Sequence, residues 1–154
     1  MVVSTRKRFS LVILVGAGVY MALLEVSYGF LEGRYFPPPQ WWRDHSHLGP
    51  VASAAWFVLI NAAGAVLAAL PVALGVVLFA KTHKQVLGLL VGVLPGLYIM
   101  GGGLVEYGFP NYAAAWVIEV FQFLSISLAV LLAVVLFASL PLTIGSSDRG
   151  WRLR

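Results

Sequence analysis

The chain has no cysteine among its 154 residues, which excludes disulfide bonds, thiolate metal sites and thiol redox chemistry. It is also poor in charge, because Asp, Glu, Lys and Arg make up only 10% of it. A soluble domain carries about 25% of such residues. So few charged groups leave too little polar surface to cover a water-soluble globule, and an ordinary soluble domain is therefore excluded.

The short motifs of several enzyme classes are also missing. The sequence has no glycine-rich nucleotide loop, no motif of a nucleophile triad and no His-Glu-x-x-His zinc motif. These absences favour a protein that is not an enzyme on its own.

Nucleic acid is not an expected partner, because eight of the ten Lys and Arg residues lie at the amino terminus, in residues 81–85 and in the tail. In a membrane protein such clusters set the topology.

Long apolar runs dominate what is present, since 60% of the residues are hydrophobic. A helix needs about 20 apolar residues to cross a bilayer. The first run is too long for a signal peptide and lacks a small-residue cleavage site, so it is expected to be retained. The sequence predicts an all-α, polytopic membrane protein, a four-transmembrane-helix bundle forming one domain. The predicted spans are 9–30, 51–80, 86–107 and 112–142, with a long loop at 31–50.

The distribution of basic residues predicts the orientation in the membrane. The amino terminus, residues 81–85 and the tail carry three, two and three Lys or Arg residues, whereas loop 31–50 carries two and the turn at 108–111 none. Positive charge favours the cytoplasmic side. Both termini are therefore expected in the cytoplasm, and loop 31–50 on the outer side of a cytoplasmic-type membrane.

Three acids lie within the apolar runs, namely Glu25, Glu106 and Glu119, and all fall in the outer third by residue count. Intramembrane acids are expensive and by default functional. They indicate either an outer polar pocket for protons or a cation, or carboxylates that pair near the headgroups with Arg34 or Arg43. Because the first and last spans are neighbours in most closed four-helix arrangements, we expect Glu25 and Glu119 to approach each other or a shared partner.

Two of the three histidines lie in the outer loop, as Asp44-His45-Ser46-His47. Histidines at i and i+2 do not share a helix face, so both could bind one metal only from a non-helical turn. Together with Glu25 and Glu119 they would complete a nitrogen and oxygen ligand set suited to a divalent metal such as zinc, iron, copper or manganese. The alternative is a solvated loop with two ordinary histidines.

The His45-x-His47-Leu48 segment at the start of the second span, followed by a small-residue apolar helix with Trp56, resembles a known pattern. It is similar to the start of helix two in the main subunits of haem–copper oxidases and nitric oxide reductases, and in small four-span relatives of them. The resemblance covers about residues 45–60. It implies a haem near the outer face, with His47 as the matching axial ligand and His45 as the second choice.

The third run contains Gly88, Gly92 and Gly96, a ladder of glycines four residues apart. Such a ladder lets a neighbouring helix approach closely, so we expect it to be a helix-packing face. Pro95 and the glycines at 101–103 predict that the second half of this helix is bent or broken.

Three functions remain open from the sequence. The first is a small accessory or binding subunit of a larger membrane complex, including a respiratory-type complex, with other subunits or further copies of the chain as partners. The second is an oligomeric transporter or channel for protons or cations, using Glu25, Glu119 and Asn61. The third is a metal-dependent membrane enzyme. The cofactor stays open between haem, a divalent metal and none. The inner halves of the spans are almost wholly apolar, which argues against a conduction path through one chain.

Overall fold

Four long helices and one short helix account for nearly all of the described chain. The computed structural model describes residues 5–45, 50–80, 82–109 and 113–140. The helices are α1 (Thr5–Tyr35), α2 (Gln40–His45), α3 (Pro50–Phe79), α4 (Lys84–Tyr107) and α5 (Ala113–Ser139), and no strand occurs in these ranges. All four long helices are apolar enough to cross a membrane, over Phe9–Tyr35, Ala52–Phe79, Lys84–Glu106 and Trp116–Ser139. The predicted all-α bundle of four membrane-spanning helices is confirmed.

Two local features differ from the sequence prediction. Helix α1 continues to Tyr35, five residues beyond the expected end of the first span, and the long loop contains the short helix α2. Helix α4 is continuous through Pro95 and the glycines at 101–103, so the expectation of a break there is wrong. A bilayer explains the continuity, because a broken helix would expose unpaired backbone groups to hydrocarbon at several kcal/mol each.

The long helices form a ring in the order α1, α3, α5, α4. Helices α3 and α4 each pack against both α1 and α5, and they touch each other only slightly. Helices α1 and α5 occupy opposite corners and have no direct backbone contact. The expectation that the first and last spans are neighbours is therefore wrong. Helices α3 and α4 are rich in Ala and Gly, and such small residues allow a close neighbour on two sides of one helix.

Tyr20 lies at the centre of the bundle and is fully buried. Its hydroxyl oxygen lies 2.9 Å from the carbonyl oxygen of Ile126 on α5 and 3.3 Å from that of Ala65 on α3. A buried hydroxyl without an acceptor is unfavourable by about 1–3 kcal/mol, so these carbonyls hold the phenol in place. Through this side chain, α1 reaches the diagonal helix α5.

The bundle has two chemically different ends. The α2 end contains α2 and the start of α3, and the opposite end contains the connection from α3 to α4. Between Tyr20 and this opposite end, the buried core is apolar in the part of the chain that the structure describes. Its main members are Val72, Val76, Leu87, Val91, Val130 and Val134.

The glycine ladder of α4 lies against α5. A methyl group added at Gly88 would come 3.0 Å from Val134, and one added at Gly96 would come 2.6 Å from the Ser127 hydroxyl oxygen. A methyl group at Gly92 would overlap the backbone carbonyl oxygen of Ser127. The two helices therefore meet at Gly92 backbone to backbone.

Candidate functional site

Three tryptophans form a cluster at the α2 end. The ring centroids of Trp42 and Trp56 are 5.1 Å apart, and Trp41 lies 5.8 Å and 6.0 Å from these two rings. The indole N–H of Trp42 donates to the carbonyl of Ala52 at 2.9 Å, and that of Trp56 donates to the carbonyl of Tyr35 at 2.9 Å. Tryptophans concentrate at membrane–water interfaces, so the cluster marks the level of the interface at this end.

The predicted metal ligands at this end are only partly described. Asp44 is exposed on α2, and His45 is the last residue of that helix. The side chain of His45 and the whole of His47 lie outside the described residues. Among the side chains that are described, no group of three or more His, Asp or Glu residues could hold a metal ion. Ligation of a metal or haem by these histidines stays a prediction.

The two intramembrane acids that we expected to meet lie on opposite corners of the ring. Glu25 is exposed on α1, and Glu119 is half-buried on α5. Glu119 precedes the buried Ile126 by seven residues, which is two helical turns, so it lies on the interior face of α5. The expectation that Glu25 approaches Glu119 directly is wrong, because the ring order separates their helices. Glu106 is exposed at the end of α4.

Four small residues and one acid form an exposed stripe along α1. Its members are spaced four, three, four and four residues apart, which places them on one side of the helix. All five are exposed, and an added methyl group at any of its three glycines would meet no described atom within 4 Å. We call this stripe the small-residue face of α1. It consists of Gly18, Ala22, Glu25, Gly29 and Gly33.

The small-residue face carries Glu25 well below the interface. The ring of Tyr28 lies against Gly64, which follows Trp56 by eight residues, or about 12 Å along the helix. Glu25 lies three residues deeper than Tyr28. Its side chain also leans toward the amino-terminal end of α1, away from the α2 end. This carboxylate therefore lies at hydrocarbon depth, on a surface that no described part of the chain covers.

Four polar atoms in the bundle interior have no hydrogen-bond partner among the described residues. They are the Tyr28 hydroxyl, both amide atoms of Asn61 and the Ser127 hydroxyl. Asn61 was predicted as a polar residue of a conduction path, whereas the sequence pattern predicted no site at Tyr28 or Ser127. Tyr20, Leu24 and Tyr28 are four residues apart and therefore lie on one side of α1. Because Tyr20 and Leu24 are buried, this spacing predicts that Tyr28 also faces the interior.

Two grooves between helices are lined by apolar side chains. The larger, of about 520 Å³, lies between α3 and α5 toward the α2 end and includes Val58, Leu59 and Phe121. The smaller, of about 400 Å³, lies between α1 and α3 toward the opposite end and includes Val15 and Pro71. Neither lining offers a charged group that would orient a polar ligand.

Comparison of the chain with protein-family models, with curated proteins and with solved structures gave no match. The resemblance of the His45-x-His47-Leu48 segment to haem–copper oxidase main subunits stays a prediction.

Proposed function

We propose that this chain is a small integral-membrane accessory subunit that binds a transmembrane helix of another protein through the small-residue face of α1. The observation that carries the proposal is Glu25, an acid at hydrocarbon depth in the middle of an exposed stripe of glycine and alanine. A lipid-facing acid is unfavourable by about 2.5–3.5 kcal/mol at the bilayer centre on insertion scales, and by less toward the interface. A docked helix would remove that carboxylate from the lipid.

The shape of the face suits a helix better than acyl chains. Glycines at 18, 29 and 33 leave the backbone of α1 bare over about four turns. Helices associate in membranes mainly through such close backbone approach and through interhelical hydrogen bonds. A partner helix with its own small residues would gain both types of contact here.

The chemistry of Glu25 favours a partner that carries a cation or a strong hydrogen-bond donor. In the described spans the only basic residues are Arg34 and Lys84, which lie at the ends of their helices. Parallel packing of α1 against a second copy of itself would bring two Glu25 side chains together with no cation between them. A different chain with Lys or Arg at this depth would neutralise the acid directly.

A respiratory-type complex is the finer form of this proposal, and it rests on the resemblance of the His45-x-His47-Leu48 segment. In the orientation that the basic residues predict, with both termini cytoplasmic, the tryptophan cluster and His47 would lie at the outer face. His47 could then contribute to a haem or metal site that the partner chain completes.

Conduction of protons or cations by one chain is the weaker alternative. Glu119 and Asn61 are interior polar groups in the α2 half, but the core beyond Tyr20 is built from Val72, Val76 and similar side chains. A polar path would have to cross this apolar half. The bundle therefore supports a binding role over transport within a single chain.

Co-purification from native membranes tests the accessory role. A tagged chain is extracted in mild detergent, and the partner that leaves with it is quantified by mass spectrometry for the wild type and for Glu25→Gln and Gly29→Leu. We expect both variants to lose the partner, because one loses the charge and the other fills the face. The matched controls are Glu106→Gln and Gly102→Leu, an exposed acid and an exposed glycine on α4. Equal recovery from all four variants would contradict the proposal.

A further inference from the structure

The groove between α1 and α3 has a buried floor and an exposed rim. Val72 and Val76 of α3 line it and are buried. Leu11 and Val15 of α1 and Phe79 of α3 also line it, and all three side chains are exposed. The groove is therefore an apolar depression that opens away from the bundle interior.

This groove occupies one half of the bilayer. Its lining on α1 runs from Leu11 to Val19, which is about 12 Å along the helix. The hydrocarbon core of a bilayer is about 30 Å thick. The lining lies in the parts of the spans Phe9–Tyr35 and Ala52–Phe79 that are remote from α2. A transmembrane helix would continue through both halves, whereas an acyl chain from one leaflet matches this length.

Two glycines keep the groove open. Gly16 and Gly75 both line it and contribute no side chain. A methyl group added at Gly75 would meet no described atom within 4 Å, so a side chain at this position would have room in the groove. The volume of about 400 Å³ falls at the low end of the range of about 300–1,000 Å³ that is usual for small-molecule sites. One extended chain therefore suits the groove better than a folded segment of protein.

Positive charge lies at the outer end of the groove, just beyond its uncharged lining. Arg8 precedes Val15 by seven residues, or two helical turns, so position 8 lies on the groove side of α1. Lys84 likewise precedes Val91 by two turns, and Val91 packs against Gly16. Lys84 therefore lies on the side of α4 that faces α1, at the same end of the bundle, and it is half-buried there.

No acid offsets this charge along the helices that form the groove. Residues 1–24 and 45–105 contain no Asp or Glu, whereas Arg6 and Lys7 add two further cations next to Arg8. The groove between α3 and α5 lies toward the α2 end, where the bundle carries its acids. The five acids of the described ranges all lie in that half, namely Glu25, Glu32, Asp44, Glu106 and Glu119.

We propose that the groove between α1 and α3 binds an anionic phospholipid, with one acyl chain in the groove and the phosphate headgroup at Arg8 and Lys84. Basic residues at a membrane surface attract anionic lipids, and Lys and Arg form charge-assisted hydrogen bonds with phosphate. In the orientation that the basic residues predict, this end faces the cytoplasm, where anionic lipids are concentrated.

The lipid site is separate from the small-residue face of α1. None of the five residues of that face lines the groove. The lipid proposal therefore does not rest on the accessory role, and either one can fail without the other.

Native mass spectrometry of the detergent-purified chain tests the headgroup preference. It compares retention of phosphatidylglycerol and phosphatidylcholine that carry the same acyl chains. We expect the wild type to prefer phosphatidylglycerol, and Arg8→Gln should reduce that preference about fivefold, the contribution of one basic residue near a membrane surface. Arg34→Gln, at the other end of α1, is the matched control and should keep the preference. Equal retention of both lipids by the wild type, or an equal preference in the two variants, would overturn the proposal.

Filling the groove tests the position of the acyl chain. Gly75→Leu should abolish retention of phosphatidylglycerol, because the leucine side chain would occupy the space of the lipid chain. Gly102→Leu on α4 is the matched control, since a methyl group there also meets no described atom within 4 Å and Gly102 does not line the groove. Equal retention by the two variants would overturn the proposal.

Photolabelling of the wild-type chain tests the same site without any substitution. A phosphatidylglycerol with a diazirine in its acyl chain is added to phosphatidylcholine vesicles that contain the protein. We expect labels on Val15 and Phe79 in excess of the exposed Leu132 on α5, and an even distribution from a phosphatidylcholine probe with the same chain. Even labelling by both probes, or equal enrichment in the groove by both, would overturn the proposal.

Discussion

Replacement of Gly92 by alanine is the most sharply defined test of how α4 and α5 pack. The added methyl group would overlap the carbonyl oxygen of Ser127 and would come 3.1 Å from its carbonyl carbon and 3.3 Å from the carbonyl oxygen of Ile126. All three atoms belong to the backbone, so no side-chain rotation can relieve the contact. Helix α5 must instead withdraw from α4.

The magnitude follows from the size of that shift. Ordinary contact with an added methyl carbon begins near 3.4 Å, so the backbone of α5 has to move by a large fraction of an ångström. Overpacking of this kind is destabilising by about 1–3 kcal/mol. The movement also affects Ile126, whose carbonyl accepts the hydrogen bond from Tyr20 and contributes about 1 kcal/mol more. We expect Gly92→Ala to destabilise the bundle by about 2–4 kcal/mol.

Thermal unfolding in a mild detergent measures the effect, and two matched variants control for it. Gly88→Ala meets mainly the Val134 side chain at 3.0 Å, which can shift, so its loss should be smaller. Gly102→Ala meets nothing within 4 Å and should be neutral or slightly stabilising, since alanine is the better helix former. An unchanged midpoint for Gly92→Ala would refute the backbone contact between α4 and α5.

Three further predictions concern single side chains. Tyr20→Phe should lower the thermal midpoint by the equivalent of about 1 kcal/mol, because it removes the hydroxyl that bonds to α3 and α5; an unchanged midpoint would show that these bonds contribute nothing. Gly64→Ala should destabilise by about 1–3 kcal/mol through overlap with the Tyr28 ring, and the combined Gly64→Ala, Tyr28→Ala variant should recover part of that loss, as differential scanning fluorimetry would measure. If the resemblance of the outer loop holds, absorption spectra and elemental analysis of the purified complex should show haem or a divalent metal. His47→Ala should remove this cofactor, whereas His83→Ala should retain it. An equal cofactor content in both variants would exclude His47 as a ligand.

The number and approximate positions of the long helices could be predicted from the sequence, but their arrangement could not. Apolar runs long enough for a bilayer predict helices by themselves, because a lipid-embedded chain must satisfy its backbone internally. The ring order depends instead on which faces of α3 and α4 accept two neighbours. Both helices carry small residues on several sides, so the pattern alone does not say that α1 and α5 lie diagonally.

The depth of each polar residue could be counted along its span, whereas the direction of its side chain could not. Glu25 and Glu119 have similar counted depths, yet one is exposed and the other half-buried toward the interior. That difference comes from the neighbours of each helix. Tyr28 could not be placed in the interior from the sequence, because tyrosines near a span end suit an interfacial belt equally well. Its contact with Gly64 places its ring between α1 and α3.

Site-specific photocrosslinking from the small-residue face of α1 tests the central claim most directly. A photoreactive amino acid replaces Ala22, one turn from Glu25, and a second variant carries it at the exposed Leu132 of α5 as a control. After irradiation of native membranes, we predict an adduct from position 22 with a transmembrane helix of a different protein that carries Lys or Arg at the same depth, and none from position 132. Crosslinks from position 22 that reach only lipid, or only further copies of this chain, would contradict the account.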